Sequence, residues 1–542
     1  MSLTCYNYLK ENCKTKGNFD AVIYWGHKTK INDLIKNIDN IASYISSLGI
    51  KKGDCVTVFL PTVPHSFTSF YALNKIGVIA NIVHPLTSPE SLNEILDNTN
   101  SKAIFILDIL ADKYVDLLNS RNEKVIVCSN SDFSRGLIHT GIEVFEYSKT
   151  KGFSKFTNSI TYSKAAKIGS ESKSPINDNG ELTSVYLHGG GTTGKSKTIM
   201  LSSNNINALA EHLNSFDIEE HIPGKDSSLV VLPMFHAFGL ACSVHFPLSH
   251  GFSLIPMPEF NAKRANNILR RHNVAFLLGV PNMFSKMMDE EHFDGKHLKN
   301  FKLVFCGGDF LPERLVEKFN KIVSKNSGKA KLFRGYGLTE VTSVCAANNY
   351  QFMKPDSVGK AIDGVTIEIW DDYNKPLPIN SDGEIVIKGD TVMQGYFNGK
   401  ETKPNDGIFI DKQGVRWVKT GDLGHLDEDR FLFFTGRKKR MIIISGYNVY
   451  PADIETAVMT LPFVKEACAV QGYKKGKPCV KLCIIPEGDI DEDKAEKKII
   501  SLCKKNLSKF SCPRKVEFMK SFPRTQMAKV DFMKLSDKFE EE

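Results

Sequence analysis

Between residues 31 and 107 the apolar residues switch repeatedly between two periods, and this restricts the fold more than any other feature. Ile31, Leu34, Ile35, Ile38, Ile41, Ala42, Ile45 and Leu48 recur at helical spacing,. Gly49 stands where a glycine would end that helix,. Residues 56–60 read as a buried strand, 66–75 as a helix and 78–83 as a strand. Ser88-Pro-Glu90 opens another helix, and 103–107 is a further strand. Strands alternating with helices make a parallel sheet covered on both faces, so the fold class is α/β. A chain of 542 residues holds roughly 3 to 4 domain-sized units. The polar stretch 149–179 reads as a surface connection.

The strand-like run ending at Leu187 leads into Tyr186-Leu-His-Gly-Gly-Gly-Thr-Thr-Gly-Lys-Ser-Lys197. Glycines let a backbone approach a ligand and turn its N–H groups toward it. Hydroxyls and ammonium groups add donors and charge, so the loop suits a polyphosphate. Gly189, Gly194, Lys195 and Ser196 satisfy the P-loop NTPase spacing,. That motif needs a helix directly after the serine. Here 198–201 read as a strand, and the N-cap cluster Ser202-Ser-Asn-Asn205 opens a helix only at 206–213,. The helix starts too late for an NTPase.

Composition narrows the class. Hydrophobic residues at 42% and charged residues at 24% are ordinary for a globular protein. No apolar run approaches the roughly 20 residues of a membrane span. The N-terminus lacks the basic start and apolar stretch of a signal peptide. Twelve scattered cysteines with no Cys-x-x-Cys pair suit reduced thiols in the cytoplasm. The net charge of +8 is spread along the chain, whereas nucleic-acid binding needs a concentrated basic stripe.

Further motifs follow in order. They are Leu229-Val-Val-Leu-Pro-Met-Phe-His-Ala-Phe-Gly239, Lys302-Leu-Val-Phe-Cys-Gly-Gly-Asp-Phe-Leu-Pro312 and Arg334-Gly-Tyr-Gly-Leu-Thr-Glu340. Gly383-Glu-Ile-Val-Ile-Lys-Gly389, Gln394-Gly-Tyr396 and Trp417-Val-Lys-Thr-Gly-Asp-Leu-Gly424 come next. Gly436-Arg-Lys-Lys-Arg440, Ile442-Ile-Ile-Ser-Gly-Tyr-Asn-Val-Tyr-Pro451 and Phe522-Pro-Arg-Thr-Gln-Met-Ala-Lys-Val-Asp531 close the series. Together with the loop they resemble the adenylate-forming superfamily of acyl-CoA synthetases, luciferases and adenylation domains, most closely its acid:CoA ligases.

The resemblance implies a large N-terminal domain of stacked αβ subdomains plus a β-rich subdomain that includes 383–389 and 394–396. It also implies a small, mobile α+β C-terminal domain. The expected division is 1–435 and 436–542. ATP, Mg²⁺ and CoA are the implied cofactors, and a small-molecule carboxylic acid is the other substrate. A carrier protein is the alternative thiol acceptor; no nucleic-acid partner and no membrane span are expected. Gly190, Gly191, Thr192, Thr193, Gly194 and Lys197 would hold phosphate. Gly307, Gly308 and Asp309 would line the adenine site, with Asp309 replacing the family's Glu. Tyr336 and Gly337 would face adenine, Thr339 the α-phosphate, and Thr192 and Glu340 the metal.

Asp422 would take the ribose hydroxyls and Arg437 would reach the nucleotide. Lys439 falls at the hinge, Gly446 beside pantetheine, and Lys529 at the reacting carboxylate. His236 marks the acyl pocket. Amino-acid-activating relatives carry Asp there to pair an ammonium group, which an imidazole does poorly, so the substrate expected is a fatty or other apolar acid. Gly190, Ser196, Thr198 and Ala528 depart from the family pattern, which keeps open a nucleotide-binding protein with degraded catalysis.

Overall fold

The computed structural model describes residues 2–134, 155–189, 197–216, 221–397, 402–403, 407–444, 447–474, 477–524 and 530–536. The first helix expected from periodicity is Ile31–Ser47, with Ile31, Leu34, Ile38, Ile41 and Ile45 buried on one face. Gly49 follows at φ +80°, a left-handed conformation that glycine adopts without penalty. The next helix, Pro64–Lys75, is buried on every side. Most of its polar side chains are partnered, whereas the Ser69 hydroxyl is buried with no hydrogen-bond partner among the described residues. Asn74 accepts from Tyr6 N at 2.9 Å and donates to Ser184 and Ser203. Lys75 pairs with Asp39 at 2.7 Å. Ser88 caps Pro89–Thr99 by accepting from Ser91 N.

Two nine-stranded sheets carry the large part of the chain. One is parallel across Thr183–Gly189, Ile79–Ile82, Cys55–Phe59, Ser101–Leu107, Lys124–Cys128 and Ser159–Thr161, in that spatial order. Beyond Thr183–Gly189 it turns antiparallel through Lys197–Ser202 and Gly395–Phe397. The other runs parallel through Leu332–Leu338, Leu303–Cys306, Val274–Gly279, Ser227–Val230 and Ser253–Pro256. Antiparallel Ser343–Ala347 flanks Leu332–Leu338. Both sheets feed one continuous apolar core. A five-stranded antiparallel sheet contains Val365–Trp370, Gly383–Gly389, Arg416–Leu426 and Leu432–Arg437.

From Ile442 onward the chain builds separate cores around the sheet of Val464–Lys474, Lys477–Pro486 and Lys515–Phe518 and the helices Pro451–Met459 and Glu492–Asn506. The whole is mixed α/β, as expected.

Three sequence expectations need correction. The stretch 149–179 is not only a connection, because Ser159–Thr161 joins the first sheet and Tyr162–Gly169 is a helix. A Cβ on Gly169 would lie 1.8 Å from Asn40 O, so only glycine permits that close packing against Ile31–Ser47. The helix after the glycine loop is Ser203–His212, capped by Ser202, and starts earlier than periodicity suggested. A strand, Lys197–Ser202, still intervenes after the loop, as the case against a P-loop requires. Finally, Gly395–Phe397 pairs with Lys197–Ser202 on the large sheet and not with the small β-rich one, because its side chains complete the edge beside Tyr186. The Tyr186 and Phe397 rings stack at 4.8 Å.

Candidate nucleotide site

The strand Leu332–Leu338 organises the site. At Gly337 its pairing with Ser343–Ala347 slips by a bulge, and a Cβ there would sit 1.7 Å from Ser343 O. Tyr336 just before it donates its hydroxyl to Asp422 Oδ2 at 2.8 Å. Burial, then the Asp422 charge, raise this phenol well above its ordinary range, so it remains a donor at any working pH. Asp422 is buried and lies opposite Arg437 on the next strand. Arg437 Nε approaches Asp422 Oδ1 at 3.4 Å. A phenol hydroxyl, a carboxylate and a guanidinium thus meet at one point, although they come from three segments up to 101 residues apart.

Three residues after Tyr336 the chain makes the tight turn Thr339–Val341. Its carbonyl at Thr339 accepts from Thr342 N at 3.0 Å. Thr342 is left-handed, with φ +65°, and its hydroxyl donates to Thr391 O at 2.6 Å. Met393 N donates to Glu340 O at 2.9 Å, and Tyr396 donates its hydroxyl to Glu340 Oε1 at 2.9 Å. The Lys197 ammonium lies over the Tyr396 ring, 4.4 Å from its centroid. The far stem of the glycine loop and the Glu340 carboxylate therefore share one aromatic side chain. Sequence reasoning had not given Tyr396 a role. Its only signal was its position in Gln394-Gly-Tyr396.

Gly307 N donates to Gly279 O at 3.1 Å, and a Cβ on Gly307 would touch Phe238 at 3.4 Å. Gly308 is left-handed at φ +82°. Asp309 is exposed, and its Oδ1 accepts from Phe310 N at 2.9 Å. His236 sits on a separate segment beside Phe235, whose ring lies 4.3 Å from His84 and 4.9 Å from His236. The chain after it winds as a π-helix, Phe238–His245, a form that concentrates at functional sites.

Lys439 is exposed between two anchored cations. Lys438 binds Asp372 at 2.7 Å and Glu384 at 3.3 Å on the β-rich sheet. Arg440 binds Glu455 and donates to Ala469 O at 3.2 Å. Gly190, Gly191, Thr192, Thr193, Gly194, Gly446 and Lys529 lie outside the described residues.

With this geometry in place, comparison with known proteins is direct. A family model described as AMP-binding enzyme matches residues 9–397, and one described as AMP-binding enzyme C-terminal domain matches 453–529. The chain belongs to the AMP-binding enzyme family. Among curated relatives, a long-chain-fatty-acid–CoA ligase of Bacillus subtilis is 27% identical over 524 residues, covering 94% of this chain and 90% of the ligase. A probable 4-coumarate–CoA ligase of Dictyostelium discoideum is 28% identical over 81% of this chain and 77% of its own. Among solved structures, the o-succinylbenzoate CoA synthetase of Bacillus subtilis with its acyl-adenylate superposes with TM-score 0.77 at 22% identity, covering 99% of both chains. ATP-bound MatB from Rhodopseudomonas palustris gives 0.80 at 22% identity, again over 99% of both. These likenesses establish the fold.

Proposed function

We propose that the chain is an AMP-forming acid:CoA ligase that activates a fatty or other apolar carboxylic acid. The observation that carries this is the convergence on Asp422, where the Tyr336 phenol and the Arg437 cation meet a buried carboxylate. An ionised carboxylate can accept from two ribose hydroxyls at once, and an aromatic ring stacks on a base. The relatives named as CoA ligases support the thiol acceptor. An imidazole at His236 favours a plain acid over an amino acid.

A carboxylate is a poor acylating agent because its leaving group would be oxide. In the first half-reaction its oxygen attacks the α-phosphorus of ATP, giving acyl-AMP and pyrophosphate. In the second, the CoA thiol attacks the acyl carbon, the thiol proton leaves to solvent or base, and AMP departs. Within this reading Gly190, Gly191, Thr192, Thr193, Gly194 and Lys197 hold the phosphates, and Thr339 donates to the α-phosphate. Gly307, Gly308, Asp309, Tyr336 and Gly337 shape the adenine site. Lys529 orients the reacting carboxylate, and Gly446 borders the CoA path.

A metal fits Glu340: accepting one bond from Tyr396 leaves the carboxylate with lone pairs for a hard cation. Thr192 is the second proposed ligand, and Mg²⁺ when bound offsets charge gathering on the phosphates. The division into 1–435 and 436–542, with rotation about Lys439, is supported by the separate cores that begin at Ile442 and by the anchors on either side of Lys439. A cytoplasmic setting is supported by twelve scattered cysteines with no Cys-x-x-Cys pair, the usage of a reducing compartment.

A panel of carboxylic acids with ATP and CoA, assayed for pyrophosphate and thioester, tests the proposal. Thioester formation from at least one apolar acid is expected. Acyl-AMP without thioester at saturating CoA would transfer the acceptor role to a carrier-protein thiol. ATP binding without pyrophosphate release across the panel would refute the ligase reading.

A further inference from the structure

A line of polar side chains, buried at Ser101, Thr57 and Asn81 and half-buried at His188 and Thr198, crosses the first sheet, one from each of five adjacent strands. Ser101 bonds Thr57 at 2.8 Å, and Thr57 accepts from Asn81 Nδ2 at 2.9 Å. Asn81 Oδ1 meets His188 Nε2 at 2.6 Å, and His188 Nδ1 meets Thr198 Oγ1 at 3.2 Å. His188 and Thr198 are cross-strand partners on the two stems of the loop. A buried polar line of this kind persists only if each member is satisfied.

The direction of every bond can be worked out. Thr99 spends its hydroxyl proton on Ile95 O at 2.7 Å, so it can only accept from Asn81 Nδ2, at 3.4 Å. Ser101 donates to Ala103 O at 3.1 Å, so Thr57 donates to Ser101 and accepts from Asn81. Both Asn81 amide protons are then used, and its carbonyl oxygen must face His188. His188 Nε2 therefore carries the proton, Nδ1 is an acceptor, and the Thr198 hydroxyl donates into the sheet.

We infer that His188, held as its neutral Nε2–H tautomer by Asn81, is a positioning residue that fixes Thr198 and so sets the separation and orientation of the two stems that present the phosphate loop. The inference rests on the proposed role of that loop in binding ATP. It accounts for Thr198, which stands where the family pattern has glycine: the hydroxyl that departs from the pattern has a partner waiting for it. Burial alone pushes the imidazole down to about 4, so the ring stays neutral at working pH. The titratable groups on the flanking strands leave it so. The Lys197 ammonium sits over Tyr396, and burial raises both the Cys55 thiol, to about 12, and the Tyr186 phenol.

The test measures ATP binding by calorimetry and KM against kcat for pyrophosphate release, on the full chain. His188→Leu is expected to weaken ATP about tenfold while kcat falls far less, and His188→Gln, which can both donate and accept, to recover most of that loss. Asn81→Asp places a carboxylate at Nε2–H and favours the imidazolium. ATP itself gains a proton in this range, so the wild type is the reference: the variant's ATP affinity should fall more steeply than the wild type's as pH drops from 8 to 6. A folded His188→Leu with unchanged ATP affinity overturns the inference, as does an Asn81→Asp whose affinity falls with pH no more steeply than the wild type's. If His188→Leu does not fold, the Asn81→Asp profile still decides. A wild type that binds ATP but releases no pyrophosphate would refute the ligase proposal and leave this binding test intact.

Discussion

Arg440 offers a quantitative test of how the C-terminal part is held. Its guanidinium contacts both oxygens of Glu455 and donates to Ala469 O, while Glu455 Oε1 also accepts from Ala469 N at 2.8 Å. The two side chains retain only 21% and 17% of their exposure. Replacing Arg440 by Met strands the carboxylate. Breaking a buried pair this way costs about 3–5 kcal/mol, and the residual exposure here points to the lower end, about 3. For a unit of roughly 100 residues that is a fall of about 12–24 °C in Tm.

The deficit should depend on pH. Burial raises Glu455 above 4.5 and Arg440 opposes that, so the variant's Glu455 rises further. A carboxyl whose folded pKa exceeds its unfolded value stabilises fully below the unfolded value and loses that contribution as pH rises through the folded one. Arg440→Met should thus be least stable near pH 8 and recover toward pH 5, and Arg440→Met with Glu455→Gln should regain most of the loss at pH 8. Scanning calorimetry across pH, with hydrogen exchange at Val464–Lys474, reads both effects. A deficit independent of pH, or a double variant no better than the single one, would refute the reasoning.

Three further outcomes are expected. Glu340→Gln should raise the Mg²⁺ concentration for half-maximal pyrophosphate release about tenfold or more, since bonds to a charged partner are worth about 1.5–3 kcal/mol; a metal titration checks it. Gly337→Ala should lower the urea midpoint by the equivalent of about 3 kcal/mol or prevent soluble expression, because its Cβ has no room beside Ser343 O. Burial holds His188 and His250 at about 4 and His245 at about 3. Groups depressed in this way stabilise above their unfolded value near 6.5 and lose that contribution as pH falls, roughly 1.4 kcal/mol per pH unit each. Urea midpoints should therefore decline steeply from pH 6.5 to 4.5.

Much of this molecule was legible in the sequence where local signals and tertiary packing agree. The helix Ile31–Ser47 wrote its buried face as a period, and Gly49 marked its end. Tyr336, Asp422 and Arg437 were each identifiable from ordered motifs, although nothing local says that they touch. What escaped was decided by partners far along the chain. The helix Tyr162–Gly169 looked like part of a polar connection because it is short and set in a Ser-, Lys- and Asn-rich stretch, and its packing rests on Gly169 meeting another helix's backbone. Tyr396 was assigned to the wrong sheet because a three-residue strand carries no record of which edge it joins. The line from Ser101 to Thr198 was invisible because buried Ser, Thr and Asn read as loop-formers when taken singly.

The position of Gly395–Phe397 bears on how the chain is made. Its partner Lys197–Ser202 leaves the ribosome about 190 residues sooner, and chains fold from the N-terminus as they emerge. Throughout that interval the strand beside the phosphate loop presents an unpaired rim, the kind of surface on which chains stick to one another. Truncations ending shortly before Gly395 would preserve that vulnerable moment permanently, whereas a break placed after Lys403 would keep both Gly395–Phe397 and the strand Thr402–Lys403 that pairs with its outer side.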